Sequence, residues 1–585
     1  MNKFEAIQPE QLKERPQVFT PESYKPVLGL AGRLLRLEAP LNQEEIAGLQ
    51  SVGELSSLVD ERTGKLVEAE LTEILAKGNY SEEQKQFLIE AAANRNFDDL
   101  PENDQQALSA ALGLTLVAER ARSNTTAKIL KELPAETLER FNMTAEQRDL
   151  LAMLLKLITK VNTEYLRHNA RLTQEIPYSE MPLADQMRER RFLANGFDDI
   201  TAAMEKMSQG AHEPVFGSLE KDRAFLKYLT DLKNAYTPFT EGTNQPINAS
   251  AQQELLARAQ ESFLALHNGF PEFPLIVFPA FSHYEADEVA TDDWSKYGFD
   301  PEIRLHWQRQ EQQAKHKDYE RLKGQFASTI DNRFSDIADT DFVKRYQVIF
   351  GDTALASGVN LKGAPLAQAE GNVILIIETS PDKEEEKKLD EAVKSLLSKS
   401  EDRAIIDSPQ FRALADKINA LHEFGHGLYD EKSPAAEKLG GLDDKLAEYK
   451  SELAMWSTAT SILSKEVKAS FGEQADQALL LAMLKEAFRF CRKEKTEPEY
   501  YLADKNIVEI LIKAGVISET VGKIELKSDK LNKDLEGVFS EELRKILQIY
   551  HEADQGDIKA AKSEARLIAG NKPSETFKKI KKFIK

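Results

Sequence analysis

The sequence predicts a mainly α-helical protein with a small β component, an α+β chain of two or more lobes. Long stretches rich in Leu, Ala, Glu, Lys and Gln recur along it, and these residues lose little rotamer freedom in a helix. Strand signals are short and few. At 585 residues the chain also exceeds what one hydrophobic core ordinarily organises. Its 41% hydrophobic and 30% charged residues fit a globular protein rather than a disordered one.

Taken in order, the helical pattern covers 43–78, 82–96, 104–122, 146–170, 219–236, 250–267, 301–325 and 384–399. The breaks carry turn chemistry, as at Ser123-Asn124-Thr125-Thr126 and around Gly242 and Pro246. Apolar, β-branched runs predict strands at 274–278, 346–350, 372–377 and 523–526. The expected division is a mainly helical lobe over 1–300 and a second lobe over 301–585. The lysine-rich, amphipathic stretch 578–585 reads as a solvated chain end, or as a contact for an acidic surface.

Composition narrows the function classes. A formal net charge of −21 argues against general nucleic-acid binding. No apolar run approaches the roughly 20 residues that span a bilayer. The first residues lack the apolar stretch of a secretory signal. The lone Cys491 excludes an internal disulfide and suits a reducing compartment, so a cytoplasmic location is expected. Arg489 and Arg492 flank Cys491 and would lower its thiol pKa, although no histidine partner stands nearby in sequence.

The chemistry gathers at His422-Glu423-Phe424-Gly425-His426. Leu414, Ile418 and Leu421 recur at helical spacing ahead of it, and Ser408-Pro409 supplies a helix start. On a helix, His422 and His426 are one turn apart and point the same way, so both imidazoles would bind one zinc ion. Glu423, beside the first ligand, would serve as general base toward a water at that ion. Gly427 would let the backbone turn away after the second histidine.

A zinc site needs a third protein ligand and an open position. Glu448, 22 positions after His426, is the candidate, on a second helix whose apolar stripe runs Leu442, Leu446, Tyr449, Leu453, Trp456. Glu448 and Glu452 form an i, i+4 acidic pair, unfavourable on a helix unless a cation lies beside it.

These segments resemble the dipeptidyl peptidase III family, in its prokaryotic form. The five-residue histidine motif followed by glycine is similar to that of bacterial relatives. Ala447-Glu448-Tyr449-Lys450-Ser451-Glu452 is similar to the family's second motif, which begins Glu-Glu; Ala447 replaces the first glutamate. Gly358-Val359-Asn360-Leu361-Lys362-Gly363 resembles its Asn-Leu-Pro-Asn substrate segment, with Gly363 in place of the second asparagine. Residues 507–565 resemble the family's C-terminal helices, so the likeness spans about 346–565.

The resemblance implies a two-lobed zinc metallopeptidase with a cleft between its lobes, the 346–378 strand segment lining it. It implies one zinc ion per chain on His422, His426 and Glu448, with Glu423 as general base and Glu452 orienting a ligand histidine. Asn360 would hydrogen-bond the substrate backbone. Tyr500 falls near the family's transition-state histidine, and its hydroxyl would donate to a developing oxyanion or pack as an ordinary aromatic. Short peptides are the implied substrates, cleaved to release N-terminal dipeptides. Two other zinc peptidase classes share the letters of the motif: thimet-type oligopeptidases and a bacterial carboxypeptidase family. The Gly363 and Tyr500 departures also leave room for a catalytically impaired relative that binds peptides.

Overall fold

A computed structural model describes residues 43–56, scattered positions over 58–85, then 124–172, 196–206, 213–235, 249–279, 303–308, 310–351, 367–370, 373–377, 383–397, 399–429, 433–491, 498–520, 523–527 and 533–583. Asn360 and the expected helices at 82–96 and 104–122 fall almost wholly outside them. The described chain is mainly helical with small sheets, as its composition predicts. It divides into two units: Met1–Ile200 with Ser295–Leu305 and Leu355–Lys362, and Thr201–Trp294 with His306–Ala354 and Gly363–Lys585.

In the first unit the longest described helix is α1 (Ala145–Leu172). Its Leu150, Leu151, Leu154, Leu155 and Ile158 are buried at helical spacing. Gln147 and Thr144 cap its start reciprocally: the Thr144 N–H donates to Gln147 Oε1 at 2.9 Å, and the Gln147 N–H donates to Thr144 Oγ1 at 3.2 Å.

The second unit opens with the hairpin of α2 (Leu219–Ala235) and α3 (Ala249–Gly269), followed by strand β1 (Leu275–Pro279). The expected helix at 301–325 is corrected by the structure. Ile303–Trp307 is strand β2, and the helix begins afterwards as α4 (Gln310–Phe334). Ile303, Leu305 and Trp307 alternate with Arg304 and His306, a period of two that the long polar helix behind them obscures.

Three strands form a mixed sheet of order β3-β5-β4. β3 (Gln347–Gly351) runs parallel to β5 (Val373–Ile377), and β4 (Ala367–Glu370) pairs antiparallel with β5, Ala367 opposite Ile376. Strand β4 carries no long apolar run, so the sequence does not announce it. Helices α5 (Lys383–Leu396) and α6 (Ser400–Ile406) lead into α7 (Pro409–His426), which carries the histidine motif and packs beside β4 and β5. The start of α7 is the one predicted: Pro409 occupies the first turn, and Ser408 Oγ accepts from the Phe411 N–H at 3.2 Å.

After α8 (Pro434–Leu439) comes α9 (Asp443–Phe471), about 43 Å long at 1.5 Å per residue. The apolar stripe from Leu442 to Trp456 predicts one buried face. The structure buries every residue from Leu446 to Ala459, because α9 is packed by α7, α10 (Ala475–Phe488), α11 (Pro498–Lys513) and α12 (Lys533–Gln555). Glu448, Lys450 and Glu452 are therefore charged residues inside a core, where each needs a partner.

A two-stranded ribbon, β6 (Ile517–Thr520) and β7 (Lys523–Leu526), precedes α12. Helices α13 (Ile558–Ala569) and α14 (Glu575–Phe583) complete the described chain. Over its described residues the basic tail is helical and packed. Phe577 and Ile580 are buried, and the Lys581 ammonium lies 4.4 Å from the centre of the Tyr501 ring on α11.

Candidate metal centre

The site is made where α7 crosses α9, and glycine sets the separation. A Cβ added at Gly425 would lie 2.6 Å from the Ser451 Cα and 2.9 Å from its carbonyl oxygen. The two backbones meet there as closely as they can, which places His422 and His426 alongside Glu448 and Glu452. Gly427 has a second contact of this kind. Its φ of −70° is open to any residue, so turning is not its role; a Cβ there would meet the Tyr346 ring at 2.6 Å and Val343 at 2.8 Å.

Three atoms converge. His422 Nε2 lies 3.2 Å from His426 Nε2 and 3.2 Å from Glu448 Oε2, and His426 Nε2 lies 3.7 Å from the same oxygen. Ligands about 2.0–2.1 Å from one tetrahedral ion stand about 3.3–3.4 Å apart, so this triangle fits zinc. The Glu448 Oε2 atom is buried without a hydrogen-bond partner, an expensive state for a carboxylate oxygen that a cation would relieve. The chemistry of the set, two imidazoles and one carboxylate, is also that of catalytic zinc. Among the described residues this is the cluster of histidine and carboxylate groups close enough to share an ion.

Glu452 stands one turn beyond Glu448 and holds His422 from behind, its Oε1 3.0 Å from His422 Nδ1. That contact selects the tautomer protonated on Nδ1 and leaves Nε2 with a lone pair toward the other ligands. Glu423 lies between the histidines on α7, partly exposed.

The electrostatics follow from this packing. Burial lowers the His426 pKa to about 4; Glu448 opposes the shift, and His422 and Lys450 reinforce it. Burial likewise opposes charge on His422, but Glu448 and Glu452 overcome it and raise that pKa well above the usual value. Burial pushes Glu448 upward, and the two histidines more than reverse it. Glu452 is raised, chiefly by burial. The metal-free site thus holds His422 as an imidazolium, with both ring nitrogens protonated, beside a neutral imidazole at His426.

The end of the metal helix is pinned from outside. Lys450 Nζ donates to the Tyr429 carbonyl at 2.7 Å and lies 4.7 Å from the centre of the Tyr550 ring. Tyr429 takes a left-handed backbone, φ 51°, and its hydroxyl donates to the Ile337 carbonyl at 2.6 Å. The lysine of the second sequence motif therefore fixes the turn that follows the helix of the histidine motif.

Comparison with known proteins adds two solved structures. No family model and no curated protein matches the sequence. Dipeptidyl peptidase III from Caldithrix abyssi aligns with 95% of this chain and 97% of its own at a TM-score of 0.47 and 12% identity. Dipeptidyl peptidase III from Corallococcus sp. strain EGB aligns with 69% of this chain and 67% of its own at a TM-score of 0.43 and 13% identity. The chain is similar to both.

Of the residues the sequence singles out, His422, His426, Glu448 and Glu452 come together directly. Tyr500 joins them: it stands in the first turn of α11, which packs along α9, and its hydroxyl hydrogen-bonds to the Glu448 carboxylate. Sequence reasoning missed Asp504, one turn after Tyr500, whose burial, with Glu452 nearby, pushes its carboxyl pKa well up. The i, i+4 spacing of 500 and 504, matching that of 448 and 452, is the signal that would have found it. Cys491 departs from expectation. It is buried, its thiol donates to the Ala487 carbonyl at 3.2 Å, and burial with the nearby Asp504 pushes its pKa up rather than down.

Proposed function

We propose that this protein is a zinc-dependent peptidase that hydrolyses short peptides, releasing N-terminal dipeptides. The observation that carries the reading is the triangle of His422 Nε2, His426 Nε2 and Glu448 Oε2 on two helices locked together at Gly425 and Ser451. Zinc held there would acidify a water from a pKa of about 15.7 toward about 7 and polarise the scissile carbonyl.

The chain's own residues supply the rest. Glu423 takes the proton of the attacking water on its carboxylate and delivers it to the leaving amine. Glu452 keeps the proton of His422 on Nδ1, so that ring presents its lone pair. Strand β4 offers a place for the substrate. It lies beside α7, and among the described residues no strand pairs with its outer edge, so an extended peptide would add there by backbone hydrogen bonds. Asn360 would hydrogen-bond the peptide backbone.

Metal content and peptide hydrolysis measured together test the reading. Glu423→Ala is expected to bind zinc like the wild type while kcat falls by about 10²–10⁴-fold. His422→Ala is expected to lose both zinc and activity. Full activity in the Glu423 variant discards the mechanism. Product mapping on one unmodified pentapeptide then separates the reaction classes: an N-terminal dipeptide supports the proposal. An internal cut indicates a thimet-type oligopeptidase, and release of one C-terminal residue a zinc carboxypeptidase.

A further inference from the structure

We propose that Tyr500 is a positioning residue for the metal-ligand carboxylate, its hydroxyl holding Glu448 in the orientation that turns Oε2 toward the two imidazoles. The proposal rests on the metal centre described above and changes the part Tyr500 plays in it.

Register is the first ground. Tyr500 and Asp504 sit one turn apart on α11, alongside Glu448 and Glu452, one turn apart on α9. The upper pair meets through the Tyr500–Glu448 hydrogen bond, the lower through the proximity of two buried carboxyls. The second ground is how firmly the tyrosine ring is held. It lies against Phe490, with centroids 4.5 Å apart and planes at 34°. Phe490 is in turn tied to α11, because its backbone N–H donates to Asp504 Oδ2 at 2.7 Å. A ring clamped by a residue anchored to its own helix makes a stiff support.

Hydrogen-bond arithmetic decides between the two roles open to a tyrosine here. A phenol carries one proton. While that proton is donated to Glu448 it is not available to a developing oxyanion. The Glu448 Oε2 atom has no hydrogen bond of its own, so apart from His422 the tyrosine is what fixes the rotation of the carboxyl group. Second partners of this kind set ligand orientation and ordinarily change metal affinity by about 10–100-fold.

The test is zinc affinity, read by competition with a chromophoric chelator, together with the visible spectrum of the cobalt-loaded protein. Tyr500→Phe removes one oxygen and keeps the ring stack. It should weaken zinc binding by about 10–100-fold and alter the cobalt spectrum, with the thermal midpoint of the metal-free protein unchanged. Tyr500→His, which restores an N–H donor, should bind zinc more tightly than the phenylalanine variant; equal affinity counts against the proposal. Wild-type zinc affinity and an unchanged cobalt spectrum in Tyr500→Phe overturn it, and a fall in kcat alone would assign the hydroxyl to the substrate instead. Zinc binding that survives His422→Ala would show a different failure, that of the metal centre itself, and would take the proposal with it.

Discussion

Glu452 would act on a metal at this centre through another side chain. Its carboxylate meets His422 on the nitrogen that faces away from Glu448, so one contact fixes ring orientation and tautomer together. Glu452→Ala is expected to weaken zinc binding by about 10–100-fold without removing a ligand, measurable by the same chelator competition. The direction of the His422 shift gives a pH prediction. Because two carboxylates raise its pKa above the unfolded value, the stabilisation from its proton is complete below about pH 6.5 and is lost as pH rises through the folded pKa. Zinc bound there would displace that proton, so apparent zinc affinity should climb as pH rises toward the folded pKa of His422. Calorimetry in buffers of different ionisation enthalpy would register the released proton, and a pH-independent affinity would contradict the assignment. Residues of this scale were partly legible in the chain, since i, i+4 spacing puts His422 with His426 on one helix face and Glu448 with Glu452 on the face of another. Asp504 was not, because its i, i+4 spacing from Tyr500 gains meaning only once α11 is seen to lie along α9.

At the scale of elements, the decisive object is the crossing of α7 and α9. Its closeness depends on Gly425, whose added Cβ would overlap the Ser451 backbone rather than a flexible side-chain end. Gly425→Ala must therefore push the helices apart. A loss of about 1–3 kcal/mol in urea denaturation is expected, as for overpacked core sites, with weaker zinc binding alongside. Unchanged zinc affinity would mean that the ligands do not depend on this contact. The helices themselves follow from sequence: the Ser408-Pro409 cap and the Leu414–Ile418–Leu421 spacing fix the start and face of α7. Strands β2 and β4 show where that reading stops. Ile303–Trp307 is too short for its alternation to outweigh a helical neighbour, and Ala367–Glu370 is a strand because β5 offers it a ladder.

For the whole molecule, a metal bound at the proposed centre would be a stability element. A ligand that binds only the folded state at about 1,000 times its Kd adds about 4.1 kcal/mol. The thermal midpoint should accordingly rise on zinc saturation and fall on chelation in the wild type, and stay indifferent to both in His422→Ala. No helix among the described residues is long and apolar enough to cross a membrane, in keeping with the composition. The sequence by itself determined the helical class, the pairing of His422 with His426 on one helix face and the cap of that helix, because each rests on contacts within a few turns of chain. Only the tertiary structure decided that α9 is buried on all sides, that Gly425 is a point of contact, and that Tyr500 faces Glu448. Those depend on which helices surround α9, and packing partners far apart in sequence leave no periodic trace in either segment.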